Sequence, residues 1–180
     1  MTSIPAKLYF LLIVLVSLIV SFGFVACNDD IYSTNPKYKL TFSTDTLTFD
    51  TVFTTVGSAT SRIMIYNRNN VALKIGHLGV AKGKDSSFKI NVNGSLSTDN
   101  QFDNIEIRAH DSLYVFVAAT VNPTNINSPV FIKDSLVLQT NGVSQNVKLL
   151  AYGQDMKILR NKYILNDTTL TAEKPYLVYG

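Results

Sequence analysis

The sequence predicts an all-β fold: an immunoglobulin-like antiparallel β-sandwich after an N-terminal apolar leader. Three observations predict it. Between Tyr38 and Ala151, apolar residues alternate with polar ones in short runs rich in Val, Ile, Thr, Phe and Tyr. Asn, Gly, Asp and Pro interrupt these runs about every ten residues, the spacing of strands joined by turns. Nowhere do apolar residues recur at helical three-and-four spacing over a useful length. A chain of 180 residues is long enough for one such domain with a small surplus.

The leader comes first. Met1 to Lys7 carries one positive charge, and the 19 residues from Leu8 to Ala26 carry none. A run of that length also suits a signal anchor retained in the inner membrane. Small Ala26 before the single cysteine, the loosening Ser21 and Gly23, and the lack of a following positive charge favour cleavage instead. The stretch Phe24-Val25-Ala26-Cys27 resembles a lipobox, although Leu usually stands where Phe24 does. The resemblance implies a lipoprotein signal peptide over 1–26, lipid attachment at Cys27 and an acylated tether over 27–36. Thioether diacylglycerol with an added palmitate-like chain gives stable anchoring, which one chain does not. Asn28-Asp29-Asp30 resembles the export signal with which gut-commensal Gram-negative bacteria place lipoproteins on the outer face of the outer membrane. A solvated acidic linker accounts for these residues equally well.

Charge and cysteine usage narrow the partners. The net charge of +3 becomes +2 without Lys7, with 15 basic residues against 13 acidic ones. Lys37, Arg62, Lys89, Arg108 and Lys148 are scattered singly between strands, which argues against nucleic acid or another polyanion as partner. A single cysteine excludes an intramolecular disulfide.

In order, Tyr38, Leu40 and Phe42 predict a first strand, and Leu47 and Phe49 a second. Asp50 to Gly57 continues it with a break that suggests a bulge or change of sheet. Arg62–Tyr66 and Val71–Ile75 are strands around the turn Asn67–Asn70. Phe88, Ile90 and Val92 lead into the turn pair Asn93-Gly94. Ile105, Ile107 and Ala109 form another strand, and His110-Asp111 turns the chain. Leu113, Val115, Val117, Ala119 and Val121 mark the longest alternation. Its other face carries Tyr114 and Phe116, which predicts a central strand covered on both sides. Pro123 and Pro129 lie in a loop. Leu136–Leu138 and Val147–Ala151 flank Asn141-Gly142.

The order Phe49-Asp50-Thr51-Val52, Ile65-Tyr66-Asn67, Val121-Asn122-Pro123 and Leu149-Leu150-Ala151-Tyr152-Gly153 resembles the immunoglobulin-like domains of the Hydin and major-sperm-protein kind. It places the sandwich at 37–156 and supports the fold more than any function. The segment 157–180 stands outside the alternation. It resembles the first rung of a right-handed parallel β-helix, as in larger surface lipoproteins; a C-terminal hairpin packed on the sandwich is the alternative. Apolar Tyr176–Tyr179 directly before Gly180 has an edge that whole proteins usually blunt, which suggests a longer design or pairing with another chain.

Motifs for chemistry are sparse. His77 and His110 are 33 residues apart on different predicted turns, without a zinc-ligand spacing. There is no phosphate-binding glycine loop and no Gly-x-Ser-x-Gly elbow. The expectation is a non-enzyme with no metal and no cofactor. Asp followed by Ser or Thr and then Leu, Val or Thr occurs five times against about one expected. The triplets resemble the O-glycosylation motif of the same bacteria, with Thr46, Thr51, Ser112, Ser135 and Thr168 as acceptors. The structural alternative has the aspartate capping a turn just before a strand. With no tryptophan, any sugar stacking falls to tyrosines. The expected role is a lipid-anchored outer-membrane or cell-surface spacer or interaction module with an unknown protein or glycan partner. The alternative is the glycan-binding part of a carbohydrate-active surface protein.

Overall fold

The alternating runs form two five-stranded sheets in the computed structural model, which describes residues 31–180 together with Pro5, Lys7 and Phe10. The rest of the leader, Cys27 and Asn28–Asp30 lie outside the described residues. In chain order the sandwich strands are β1 (Thr41–Phe42), β2 (Thr46–Phe53), β3 (Ser61–Tyr66), β4 (Leu73–Val80), β5 (Phe88–Val92), β6 (Ser95–Leu96), β7 (Gln101–Ile107), β8 (Ser112–Ala119), β9 (Val130–Thr140) and β10 (Val143–Gln154). One sheet has the order β1-β3-β8-β5-β6 and the other β2-β10-β9-β4-β7. All pairings within them are antiparallel except that of edge strand β2, which runs parallel to β10.

Each sheet turns one side of its alternation inward. Ile63, Ile65, Leu113, Val115, Val117, Phe88 and Ile90 come from the first sheet, and Leu73, Ile75, Leu78, Leu136, Leu138, Val147 and Leu149 from the second; all are buried in one core. Each such side chain contributes roughly 1.5–3 kcal/mol by leaving water. Phe49 and Phe88 bridge the sheets with ring centroids 5.8 Å apart. This is the immunoglobulin-like sandwich that the alternation predicts. The hairpin turns are as expected: Asn93-Gly94 has φ of 48° and 86°, and Asn141-Gly142 of 53° and 76°. Both residues of such a turn need positive φ, which Asn and Gly tolerate. The expected break in the second strand is a bulge, where Phe49 and Asp50 together face Ala151.

The first strand is shorter than its alternation predicts. Only Thr41 and Phe42 join the ladder, opposite Tyr66 and Ile65. Leu40 is buried, but its backbone is held by a side chain: Gln145 Nε2 donates to its carbonyl at 2.9 Å, and Gln145 Oε1 accepts its N–H at 3.2 Å.

Tyr32–Gly180 form one compact unit. Residues 32–36 of the expected tether are seated on the sandwich. Tyr32 bridges to Ala72, the Ser33 N–H donates to the Ala72 carbonyl at 3.0 Å, and Asn141 Nδ2 donates to the Asn35 carbonyl at 3.0 Å. After β10, strands β11 (Lys157–Arg160) and β12 (Tyr176–Tyr179) form a separate ribbon. They pair in parallel, Lys157 opposite Tyr176 through Arg160 opposite Tyr179, so each residue lies beside the one 19 positions later. A hairpin is antiparallel, so this pairing rules out the hairpin alternative. Among the described residues, no helix is long and apolar enough to cross a membrane.

Candidate ligand surface on an outer sheet face

Strand β8 alternates strictly, and its geometry reflects that. Leu113, Val115 and Val117 enter the core, which places Tyr114 and Phe116 on the outer face of the sheet. The alternation predicts that these two are covered. They are not: Tyr114 is 40% and Phe116 39% exposed. β8 is central only within the sheet, between β3 and β5, where its ladder bonds are satisfied. Covering its outer side would take a third layer, and the described residues place none there.

The two rings lie 6.5 Å apart with planes within 13° of parallel. Neighbouring strands add polar groups at fixed register. Arg62 on β3 and Asn91 on β5 flank Phe116, and Met64 flanks Tyr114. The Arg62 guanidinium sits 5.5 Å from the Tyr114 ring centroid, a cation–π distance that steadies both. Asn93 Oδ1 accepts the Tyr114 N–H at 3.2 Å, and Asn91 Oδ1 accepts the Gly94 N–H at 2.8 Å. With both side-chain oxygens held by backbone, the amide NH₂ groups are the ends left to meet a ligand. Shallow hollows adjoin Phe116: one of about 500 Å³ includes Arg62, Asn93 and Tyr114, and one of about 420 Å³ includes Lys89, Asn91 and Leu96. Further along, Arg68 stacks 5.0 Å from the Tyr66 ring.

Two other apolar features are exposed. Phe131 and Tyr152 pair across β9 and β10 on the second sheet, with centroids 5.2 Å apart. Beside the ribbon, Leu159, Tyr163, Ile164, Val178 and Tyr179 line a hollow of about 540 Å³.

The five candidate acceptors do not converge. Thr46 opens β2 and Ser112 opens β8, both half-buried. Thr51 is exposed just past the β2 bulge, Ser135 is half-buried inside β9, and Thr168 is exposed in the loop between β11 and β12. Three of the triplets share one local geometry. Asp50, Asp111 and Asp134 each accept the N–H of the next residue through Oδ1, at 2.8, 2.7 and 2.8 Å. Only Thr46 and Ser112 stand at strand starts, so the turn-cap reading does not extend to Thr51 and Ser135. His110 is a turn residue with φ of 62°, as expected. His77 is not; it lies inside β4, with Nδ1 3.0 Å from the Asp103 carboxylate across on β7. Among the described residues, no three His, Cys, Asp or Glu side chains gather where they could hold a metal ion.

Buried polar side chains are not foreseen by the alternation. Asn67 is 1% exposed, and its Nδ2 donates to the carbonyls of Val71, Ile107 and Arg108. Asp155, 4% exposed, accepts the N–H groups of Thr124 at 3.0 Å and Asn125 at 2.7 Å. The Thr124 N–H is the largest of the causes that hold its carboxyl below the usual range; burial opposes it, and Asn125 and Lys174 add to it.

No protein-family model matches the chain, and no curated protein matches it. Solved structures that resemble it include the periplasmic chaperone SfaE, with 13% identity over 64% of this chain and 58% of that one, at a TM-score of 0.42. A major-sperm-protein family member from C. elegans, WR4, has 11% identity over 63% of this chain and 96% of that one, at 0.38. A family 123 glycoside hydrolase from Clostridium perfringens has 10% identity over 63% of this chain and 26% of that one, at 0.41. The chain thus spans about a quarter of the hydrolase and just over half of the chaperone. What these share with it is the sandwich, which the strand order and core of this chain establish on their own.

Proposed function

We propose that this chain is a lipid-anchored cell-envelope protein whose sandwich acts as a non-catalytic spacer between an N-terminal attachment and a C-terminal β-helix rung. One observation carries the spacer role. The chain comes in and leaves at opposite ends of β10. Asn35 is bonded to Asn141, just before β10 begins, and Asp155 directly succeeds its last residue, Gln154. The strand has 12 residues, a rise of about 40 Å. A sandwich threaded this way holds the N-terminal attachment and the β11–β12 ribbon apart by the length of that strand. The parallel β11–β12 pairing supports the rung, since successive turns of a parallel solenoid stack at a constant residue offset. Anchoring rests on Ala26-Cys27 at the end of the apolar leader, and outer-membrane display on Asn28-Asp29-Asp30.

Two measurements test this. Spin labels at Thr34→Cys and Asn127→Cys, in a Cys27→Ser background, are expected to give one narrow distance distribution near ~40 Å. A broad or much shorter one removes the spacer. Labelled palmitate is expected to enter the wild-type chain and not Cys27→Ala; unchanged labelling and membrane association remove the anchor.

A further inference from the structure

The aromatic face of β3–β8–β5 is not needed for a spacer, and its chemistry is specific enough to name a ligand. We propose that this face binds an acidic oligosaccharide, with Tyr114 and Phe116 as the stacking surface and Arg62 and Lys89 as the carboxylate-binding groups.

The rings supply the first half of the argument. Tyr114 and Phe116 stand two residues apart on a strand whose ladder bonds are filled on both sides, so their spacing is fixed by the backbone. The two nearly parallel rings, 6.5 Å apart, form one apolar ridge on the outer face along which a sugar chain can lie. The apolar C–H side of a pyranose suits such a face, while its hydroxyls need donors and acceptors at the edge. The NH₂ ends of Asn91 and Asn93 lie at that edge, and their oxygens are already held by backbone N–H groups. The hollows adjoining Phe116 provide room for more than one ring.

Charge supplies the second half. Arg62 and Lys89 lie on the two strands that flank β8, and Arg68 stacks on Tyr66 at the sheet's far side. None of the outward positions of β3, β8 and β5 is Asp or Glu. In sequence Arg62 and Lys89 look scattered; folding brings them to one face. Arg62 stands opposite Phe116 and Lys89 opposite Ala118. With strands roughly 5 Å apart, the two cations lie diagonally across β8 at the Phe116 end of the face, about 10 Å or more from each other. The Arg62 guanidinium rests on the Tyr114 ring and Lys89 Nζ donates to the Lys84 carbonyl at 3.0 Å, contacts that leave further N–H donors on each. A neutral sugar brings these cations no opposite charge, whereas a uronate or sialate carboxylate accepts from the Arg62 fork. A protein or nucleic acid partner would use the charge but not the sugar-sized alternation of ring and amide.

The test uses the full chain in detergent micelles on a glycan array carrying oligogalacturonates, sialylated glycans and neutral oligosaccharides. Binding to acidic glycans and not to neutral ones is expected. Methyl-esterified oligogalacturonate, which keeps the rings and loses the charge, is expected to bind at least about fivefold more weakly than the free acid. Tyr114→Ala and Phe116→Ala are each expected to weaken binding about five- to tenfold, and Arg62→Gln similarly. All three change exposed or outward side chains, and a circular-dichroism melt reports whether the sandwich is intact. Phe131→Ala, on the other sheet, is expected to leave binding unchanged. No binding, equal binding of the methyl ester, or equal binding of polyglutamate or a single-stranded oligonucleotide overturns the proposal. So does full binding by an intact Tyr114→Ala, Phe116→Ala double variant. These outcomes are independent of the spin-label distance, so failure here leaves the spacer reading as it stands.

Discussion

The Gln145 side chain bonds Leu40 twice, accepting its N–H and donating to its carbonyl, and so takes the place of a strand partner. It lets a buried leucine sit where no ladder reaches. Gln145→Ala strips both bonds from partly buried backbone and should destabilise the domain by about 1–3 kcal/mol. Gln145→Glu should fall short of wild type as well, because a carboxylate accepts but cannot donate. Urea unfolding monitored by circular dichroism reads both; an unchanged midpoint for Gln145→Ala would show the contact to be dispensable.

Asn67 makes a stronger demand. Its amide holds together the start of β4 and the end of β7 through three carbonyls, and its own oxygen accepts the Asn69 N–H at 3.1 Å. The site is buried, so water cannot replace the amide without opening the structure. Asn67→Ala should cost about 3 kcal/mol or more. Asn67→Asp, nearly isosteric, should also be poor, since it faces those carbonyls with an oxygen. Thermal unfolding of the two variants checks this; a Tm loss confined to Asn67→Ala would mean that shape, not donation, is what matters.

Asp155 ties the end of β10 to the loop at Thr124 and Asn125, with Lys174 at 3.4 Å. Its carboxyl is held below its unfolded value, first by the Thr124 N–H. A depressed folded value sets the sign of the pH dependence. The carboxylate contributes stability above the unfolded value of about 3.9 and loses it as pH falls through the lower folded value. Asp155→Asn should therefore be less stable than wild type at neutral pH, and the gap should close as the pH drops below about 4. Melts from neutral pH down to roughly one unit below that value would reveal it; a gap independent of pH would assign the effect to packing.

Gly153 shows how tightly β10 meets its neighbours. A Cβ there would lie 2.7 Å from Val121 Cγ1 and 3.0 Å from Ile132 Cδ1. Gly153→Ala should cost about 1–3 kcal/mol through overpacking. Trimming Val121 to Ala in the same chain should recover part of that loss, which a double-mutant cycle measures directly.

Legibility in the sequence tracks the range of the forces involved. Alternation and turn chemistry are local, so nearly every strand and both Asn-Gly hairpins can be read from neighbouring residues. Tyr114 and Phe116 are legible as outward-facing, but whether another layer covers them depends on the whole chain. Arg62 and Lys89 look scattered along the sequence because sheet order, not chain order, brings them to one face. Asn67, Gln145 and Asp155 are hidden for the same reason: each depends on a distant partner, Ile107, Leu40 and Asn125, which sit 40, 105 and 30 positions away. The 19-residue parallel offset of β11 and β12 has no local marker beyond two short apolar runs.

That ribbon is the part expected to open first. A two-stranded pairing of four residues a side is marginal in water unless something packs on it. Ile158 is 47% and Val178 68% exposed, whereas Val115 on β8 is fully buried between two ladders. Amide hydrogens of β11 and β12 should therefore exchange well before those of β8, which should report the global unfolding free energy. Native-state hydrogen exchange read by mass spectrometry resolves the two segments. Equal protection would mean that the ribbon unfolds only with the sandwich, and the Lys174–Asp155 contact would then be the first place to look for the coupling, by repeating the exchange on Lys174→Met.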